Sequence, residues 1–178
     1  MKKWSTKNRK EIMRAHVFKY ETIESTSPHG DKSGVFDIVS CLDWVNVVAI
    51  SEEGQLILVK QYRHGADEIT LETPAGAIER GEDPLAAAKR ELEEETGYIS
   101  NDWKDLGKVK VNPAFMTNTC HVYLADNCKD SGQQSFDPLE EIELERIDKS
   151  KISELIEGNR IDHSLSLLSL LKYLRLLI

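Results

Sequence analysis

The sequence predicts an α+β fold, arranged as an α/β/α sandwich, and two observations predict it. Short runs rich in β-branched residues alternate along the chain with segments of helical periodicity. The chain has 178 residues, of which 40% are hydrophobic and 30% charged, so it is large enough to bury a full core. The pattern does not by itself determine the order of strands in a sheet.

Alternating segments near the N-terminus predict a β-hairpin. Residues 16–23 and 35–40 flank the turn-rich stretch 25–31, which contains Ser, Pro, Gly and Asp. We expect this hairpin to form an extension over residues 1–42, separable from a main domain over residues 43–178.

The main domain is expected to begin with a second, better-buried hairpin formed by β-branched runs at 45–50 and 56–59. Further strands are expected at 108–111, 121–125 and 142–147, and further helices at 152–157 and 165–177.

The clearest helix signal lies in the middle of the chain. Asp83 is a good N-cap, Pro84 suits the first helical position, and Gly97 supplies the stop. Leu85 and Leu92, with Ala88 between them, give this segment an apolar stripe. The sequence therefore predicts a central helix that packs against the sheet.

Charge and cysteine content exclude several classes of protein. Lys plus Arg number 23 against 31 Asp plus Glu, and the net charge of −8 disfavours broad binding to nucleic acid or an anionic membrane. A polyanionic substrate would then need a local cation.

The N-terminal residues lack the apolar region of a signal peptide, and the apolar stretch 165–178 is too short to span a bilayer. The cysteines lack disulfide-framework or zinc-site spacing and indicate buried or idle thiols in a reducing cytoplasm; they are Cys41, Cys120 and Cys128.

Three glutamates on the central helix form the candidate chemical site. Glu91, Glu94 and Glu95 are spaced i, i+3 and i+4, so their carboxylates project from one face. A solvated acidic face would have the same spacing, because repulsion between exposed carboxylates costs only roughly 0.2–0.5 kcal/mol per pair. Arg90 stands four residues before Glu94 and can orient it. Carboxylate, carbonyl and water oxygens are the ligands that Mg²⁺ requires.

The spacing around these glutamates resembles the Nudix box, G-x5-E-x7-R-E-U-x-E-E-x-G-U, over 23 residues. The matching residues are Gly76, Glu82, Arg90, Glu91, Leu92, Glu94, Glu95 and Gly97. Tyr98 is the one departure, because the family pattern has an aliphatic residue there; this is a packing position, so the chemistry is unaffected.

The resemblance implies an α/β/α sandwich with a mixed sheet and a catalytic site that uses Mg²⁺, with Mn²⁺ as a substitute. It implies four metal ligands, the carbonyl of Ala75 and the side chains of Glu91, Glu94 and Glu95. Glu82 and Arg90 would place those carboxylates. Hydrolysis of a phosphoanhydride needs an activated water and neutralisation of charge on the phosphoryl oxygens. Bound cations meet both requirements.

Segments outside the box are similar to ADP-ribose and nucleoside diphosphate sugar pyrophosphatases. They are residues 59–63 and 71–76, together with Pro113, sixteen residues after Gly97, although a loop proline is the alternative there. The resemblance implies hydrolysis of the pyrophosphate bond of ADP-ribose or a nucleoside diphosphate sugar. It also implies a homodimer that exchanges N-terminal hairpins.

Substrate contacts are expected from four residues. Arg63 is interpreted as a phosphate contact, with an exposed strand-end arginine as the alternative. Glu72 lies in the segment 71–76, which is similar to the pyrophosphatases, and is a second candidate for a substrate contact. Trp44 and Trp4 are candidates to stack on the base, although core packing is the commoner role for a residue such as Trp44. His64, His121 and His163 lack ligand spacing and receive no role.

An acidic residue beyond the box serves several members of this subgroup as a further metal ligand or general base. Glu140 is the first candidate and Glu141 the second, since both precede a predicted strand. An idle surface glutamate is the alternative. Asn118 stands where an acidic residue of the Pro113 loop could have served, so we do not expect a base from that loop.

Two other functions stay open. One is a Nudix hydrolase of another diphosphate, such as a dinucleotide or an RNA 5′ end, although the acidic charge disfavours long RNA. The other is a sensor that binds ADP-ribose without cleaving it. A sensor could dispense with the glutamates of the box, whereas this sequence retains all of them.

Overall fold

The computed structural model describes residues 1–135 and 141–177, and they fall into two units. The first unit comprises Met1–Asp43 and Lys110–Thr119, and the second comprises Trp44–Val109 and Cys120–Ile178. The first unit therefore contains residues 1–42 together with the loop that carries Pro113.

The first unit contains a three-stranded antiparallel sheet. Its strands are β1 (Ser5–Arg14), β2 (Phe18–Thr26) and β3 (Ser33–Cys41), in that order across the sheet. The expected hairpin corresponds to β2 and β3, so the extension has one strand more than the sequence predicted. The sequence did not predict β1, because all of its residues are exposed. Without a buried face, the strand shows no alternation of apolar and polar residues.

Within this unit, the loop 110–119 is hydrogen-bonded to β3 and to Asp43. The amide of Val39 donates to the carbonyl of Phe115 at 2.8 Å, and the amide of Thr117 donates to the carbonyl of Val39 at 3.1 Å. The Asp43 carboxylate accepts from the amide of Thr119 at 2.7 Å. These bonds explain why a segment distant in sequence clusters with the N-terminal strands.

The second unit is built on a mixed sheet, as the sequence led us to expect. The order along its main path is β11–β5–β4–β10–β8, in which β4 and β10 run parallel and β4 and β5 antiparallel. In addition, β6 pairs with β5, β7 with β4, and β9 with β10. The strands are β4 (Trp44–Ser51), β5 (Gln55–Arg63), β6 (Glu68–Glu72), β7 (Ala75–Ala77), β8 (Tyr98–Ile99), β9 (Asp102–Lys110), β10 (Thr119–Asp130) and β11 (Ile142–Asp148).

Helices cover both faces of this sheet. They are α1 (Pro84–Thr96), α2 (Ile152–Glu157) and α3 (Ser164–Leu174). Along β4, Val45 and Val47 belong to the core that contains Leu92 of α1, whereas Val48 belongs to the core that contains Leu170 of α3. Because successive side chains of a strand point to opposite faces, this alternation confirms the α/β/α sandwich.

Helix α1 begins and ends where the sequence predicted. The Asp83 carboxylate accepts from the amides of Leu85 and Ala86 at 3.0 and 3.2 Å. Gly97 adopts a left-handed conformation with φ of 71°, and its amide donates to the carbonyl of Glu93.

A distant segment also binds the C-terminal end of α1. The amides of Ser131 and Ser135 donate to the carbonyls of Gly97 and Glu94 at 2.7 and 3.0 Å, and the side chain of Gln134 donates to the carbonyl of Glu95 at 3.0 Å. These bonds satisfy carbonyls that a helix end leaves without an internal partner.

No helix within residues 1–135 and 141–177 is long and apolar enough to cross a membrane. The three cysteines all lie in these ranges, and no disulfide joins them. Cys120 and Cys128 are buried as expected, and burial raises the pKa of the Cys128 thiol to about 12. Cys41 is only partly buried.

Candidate active site

The guanidinium of Arg90 lies among three of the predicted carboxylates. Its Nε and Nη2 atoms donate to the two oxygens of Glu82 at 2.9 and 3.1 Å. Its Nη1 atom donates to Glu91 Oε1 at 2.7 Å and to Glu94 Oε2 at 3.0 Å, and Nη2 also donates to the carbonyl of Ala77. Arg90 therefore fixes the start of the box to two glutamates of α1.

Hydrogen bonding favours the ionised forms of Arg90 and Glu82. Hydrogen bonding to Glu82 is the largest influence that raises the pKa of Arg90, and the same bonds lower the pKa of Glu82. Three carboxylates surround one guanidinium, so the cluster retains an excess of negative charge. That excess would favour binding of a cation.

The backbone at Gly76 packs directly against Glu91. A Cβ atom at this position would lie 2.1 and 2.3 Å from the two carboxylate oxygens of Glu91. Strand β7 brings the glycine there by pairing with β4, where Gly76 lies opposite Val45. The sequence requires glycine at residue 76 because any side chain would displace this carboxylate.

Glu95 faces the same backbone segment. It is only 5% exposed, and its Oε2 atom accepts from the amide of Ala75 at 3.0 Å. Glu91 and Glu95 are thus mostly removed from solvent, whereas the Glu94 side chain is 43% exposed. Glu91 and Glu95 lie against strand β7, which contains Ala75, the residue whose carbonyl the Nudix resemblance implies as a ligand.

These residues fit a hard divalent cation by their chemistry. The expected ligand atoms are all oxygens, as Mg²⁺ prefers; they belong to the carbonyl of Ala75 and the carboxylates of Glu91, Glu94 and Glu95. The close approach of Gly76 to Glu91 keeps two of the elements that carry them together. Within the described residues, no three His, Cys, Asp or Glu side chains form a ready metal-binding group. Instead, Arg90 Nη1 bridges Glu91 and Glu94.

Tyr98, the departure from the family pattern, has its own partner. The ring is buried, the Arg146 guanidinium carbon lies 5.4 Å from its centroid, and Arg146 Nε donates to the tyrosine hydroxyl at 2.7 Å. The ring therefore packs in the core, as expected for a packing position, while its hydroxyl bonds to the exposed Arg146.

Arg63 and Glu72 form a second ion pair with unequal exposure. Arg63 Nε and Nη2 donate to the two oxygens of Glu72, both at 2.7 Å. The arginine side chain is 41% exposed, whereas the glutamate is fully buried. Burial acts most strongly on Glu72 and would raise its pKa, but the hydrogen bonds from Arg63 and Thr70 outweigh it and leave the pKa lowered. Glu72 thus holds Arg63 from inside the protein.

His163, which the sequence left without a role, lies against this pair. Its Nδ1 atom is 3.0 Å from Glu72 Oε2 and 2.8 Å from Ser166 Oγ. Burial lowers the pKa of His163, against the opposing influence of Glu72. Sequence reasoning missed His163 and Ser166 because their partners lie far away in the chain, and neither residue belongs to a spaced motif.

The remaining residues that the sequence singled out lie on other elements. Trp44 is half-buried at the start of β4, in register with Ala77. Trp4, in the first unit, packs edge-to-face on Phe36 with ring centroids 6.0 Å apart. Glu141 is exposed just before β11. Glu140 lies outside the described residues. Asn118 is buried in the first unit.

Comparison with known proteins identifies the family. The NUDIX domain family matches residues 43–163, which is more than half of the chain. The protein belongs to the Nudix family. It is therefore a hydrolase of the Nudix type, and this confirms the resemblance carried by Gly76 to Tyr98.

Two relatives of this Nudix protein match it over most of their length. It is 32% identical over 167 residues to the methanol dehydrogenase activator of Bacillus methanolicus, covering 93% of this chain and 89% of the relative. It is 33% identical over 135 residues to the ADP-ribose pyrophosphatase of Bacillus subtilis (strain 168), covering 75% of this chain and 72% of the relative.

A solved structure shares the fold of this Nudix protein. The crystal structure of an ADP compounds hydrolase superimposes with a TM-score of 0.86 and 22% sequence identity. The match covers 99% of this chain and 95% of that chain. At this identity the likeness establishes the fold, and the substrate has to be argued from the site.

Proposed function

We propose that this Nudix hydrolase cleaves the pyrophosphate bond of ADP-ribose or of a nucleoside diphosphate sugar in a Mg²⁺-dependent reaction. The observation that carries the proposal is the arrangement of Glu91 and Glu95 against the Ala75–Gly76 backbone, with Arg90 binding Glu91 and Glu94. Similarity to an ADP-ribose pyrophosphatase over 75% of the chain supports the substrate class.

The metal would be held by the carbonyl of Ala75 and the carboxylates of Glu91, Glu94 and Glu95, with Mn²⁺ as a substitute for Mg²⁺. When bound, it supplies charge neutralisation at the diphosphate oxygens and lowers the pKa of water. Arg90 forms ion pairs with Glu82, Glu91 and Glu94 and would thereby hold these glutamates of the box in one orientation.

The chemical step is attack of a water oxygen on one phosphorus and cleavage of the phosphoanhydride P–O bond. The products are a nucleoside monophosphate and a sugar phosphate. The proton of the attacking water needs an acceptor, for which Glu140 is the first candidate and Glu141 the second. This assignment rests on their place in the sequence before β11.

Arg63 is the proposed phosphate contact, because its guanidinium is partly exposed while Glu72 holds it from the buried side. The sequence suggested a direct substrate contact for Glu72. Because its carboxylate is fully buried, we propose instead that Glu72 positions Arg63, which contacts the substrate. Trp44 and Trp4 stay candidates for stacking on the base.

A homodimer and a cytoplasmic location complete the proposal. The first unit exposes apolar side chains that a partner's strands could cover, namely Ile12, Met13, Val35 and Phe36. The presence of three cysteines and no disulfide fits a reducing compartment.

The test is a substrate panel of ADP-ribose, GDP-mannose, the dinucleotide NADH and a 5′-capped RNA, each with Mg²⁺ and with excess EDTA. Nucleotide and sugar phosphate products are measured directly. We expect turnover of ADP-ribose or GDP-mannose that EDTA abolishes. Preference for NADH or RNA would overturn the substrate class, undiminished turnover in EDTA would overturn the metal requirement, and binding of ADP-ribose without product would indicate a sensor.

A further inference from the structure

A buried polar chain links helix α3 to the segment that precedes the Nudix box. Ser166, in the first turn of α3, is fully buried, and its Oγ atom accepts from the amide of Thr73 at 3.0 Å. The Thr73 hydroxyl also donates to Ser166 Oγ at 3.2 Å and accepts from the side chain of Asn46 at 3.0 Å. Buried polar groups with several partners hold one geometry strongly, because losing any bond leaves an unsatisfied group.

His163 fixes Ser166 from the other side. Its Nδ1 atom contacts Ser166 Oγ at 2.8 Å and Glu72 Oε2 at 3.0 Å. The serine hydroxyl is thereby held between an imidazole and the Thr73 backbone.

The backbone from Thr73 to Ala75 is held at three successive residues by three elements. The amide of Thr73 binds Ser166 of α3, the carbonyl of Pro74 accepts from Val47 of β4 at 2.8 Å, and the amide of Ala75 binds Glu95 of α1. Removing one of the three bonds would allow this short segment to tilt.

We propose that Ser166 is a positioning residue of the active site, which sets the Thr73–Ala75 segment from α3 so that the Ala75 carbonyl and Glu95 stay in register. Ser166 does not touch the proposed ligands itself. The inference rests on the proposed function, because the Ala75 carbonyl matters only if this segment binds a metal.

The chain contains a matched control for this residue. Ser169 lies on the same helix and is also fully buried, and among residues 1–135 and 141–177 its hydroxyl bonds only to the carbonyl of Leu165, at 2.7 Å. Ser166→Ala and Ser169→Ala each remove one buried hydroxyl from α3, but only the first removes the bond to Thr73.

The experiment measures Mn²⁺ binding to the full chain without substrate, by electron paramagnetic resonance, alongside Mg²⁺-dependent kcat and KM. Loss of a group that orients a metal ligand typically weakens metal binding or activity by about 10- to 100-fold. We therefore expect Ser166→Ala to weaken Mn²⁺ binding and to lower kcat at a fixed Mg²⁺ concentration by about 10-fold, with little change in KM. Ser169→Ala should bind Mn²⁺ like the wild type.

Equal Mn²⁺ affinity in the wild type and both variants would overturn the inference, as would an equal loss in both variants, which indicates only destabilisation of α3. If Ser166→Ala does not fold, Ser166→Cys and Ser169→Cys make the same comparison, because a thiol is a weaker acceptor. A wild type that binds Mn²⁺ but hydrolyses no diphosphate would refute the proposed substrate and leave the Mn²⁺ comparison to decide this inference. A wild type that binds no Mn²⁺ would overturn both.

Discussion

The backbone of Gly76 and the carboxylate of Glu91 are packed so closely that a Cβ atom on residue 76 would lie 2.0 Å from the carboxyl carbon of Glu91. The glycine belongs to the short strand β7 and the glutamate to α1. Residue 76 therefore determines where a proposed metal ligand lies.

Gly76→Ala should leave the fold intact and reduce hydrolysis. The added methyl group meets the far end of a flexible side chain, so we expect Glu91 to move rather than the backbone. A displaced ligand should lower kcat by at least about 10-fold, the lower end of the effect of losing a group that orients a metal ligand. Gly65→Ala is the control, because a Cβ at that position meets nothing within 4 Å. Wild-type activity of Gly76→Ala would contradict the prediction.

The glutamates of α1 should differ sharply in their effect on catalysis. We expect Glu94→Gln and Glu95→Gln each to lower kcat by at least ~100-fold while the circular dichroism spectrum stays unchanged, because an amide is isosteric but neutral. Glu93→Gln, on the same helix and outside the proposed ligand set, should retain wild-type kcat. Wild-type turnover by either of the first two variants would remove that carboxylate from the proposed ligand set.

Glu72→Gln should lower both stability and substrate affinity. The amide cannot accept both bonds from Arg63, and a hydrogen bond to a charged group contributes about 1.5–3 kcal/mol. We expect a lower free energy of unfolding in urea and a higher KM for ADP-ribose, since Arg63 loses its buried support. Glu68→Gln, an exposed change on the same strand β6, serves as the comparison. An unchanged KM with reduced stability would confine the pair to a structural role.

His163 should make stability depend on pH in the mildly acidic range. Burial lowers its pKa below the ordinary value of 6.5, so the unfolded chain takes up the proton at a higher pH than the folded one. The neutral histidine's contribution is therefore complete above pH 6.5 and is lost as pH falls towards the folded pKa. The lowered pKa of Glu72 acts in a separate window, below its ordinary value of 4.5.

Thermal unfolding between about pH 7.5 and 5.5, on either side of the ordinary histidine pKa, measures this effect. The wild type should lose more Tm across the interval than His163→Asn. His64→Asn, which changes an exposed histidine, should follow the wild type. Parallel curves for the wild type and His163→Asn would show that His163 does not titrate with folding.

Glu140→Gln should lower kcat by at least ~30-fold with little change in KM, if that carboxylate takes the proton of the attacking water. Glu141→Gln should have the smaller effect. Wild-type rates for both single variants and for the double variant would leave the box glutamates to act without this segment.

The sequence alone was sufficient for features whose signal is local. The N-cap Asp83, the stop at Gly97 and the carboxylate spacing between them lie within one helix and its ends, so short-range geometry predicts α1 and its acidic face. The core strands β4 and β5 were predicted for the same reason, since their apolar runs are continuous. The strands β6, β7 and β8 were not, because strands of five residues or fewer show little periodicity.

The tertiary structure decided which side chains support the site. Thr73 and Ser166 are 93 residues apart, and Tyr98 and Arg146 are 48 apart, so each pair meets only because α3 packs on the sheet and β11 pairs with β5 within it. No periodicity in the sequence marks a serine as a partner of a distant amide. Folding then sets the chemistry of such groups: burial lowers the pKa of His163, whereas hydrogen bonds from Arg63 and Thr70 lower the pKa of Glu72 against the opposing effect of burial.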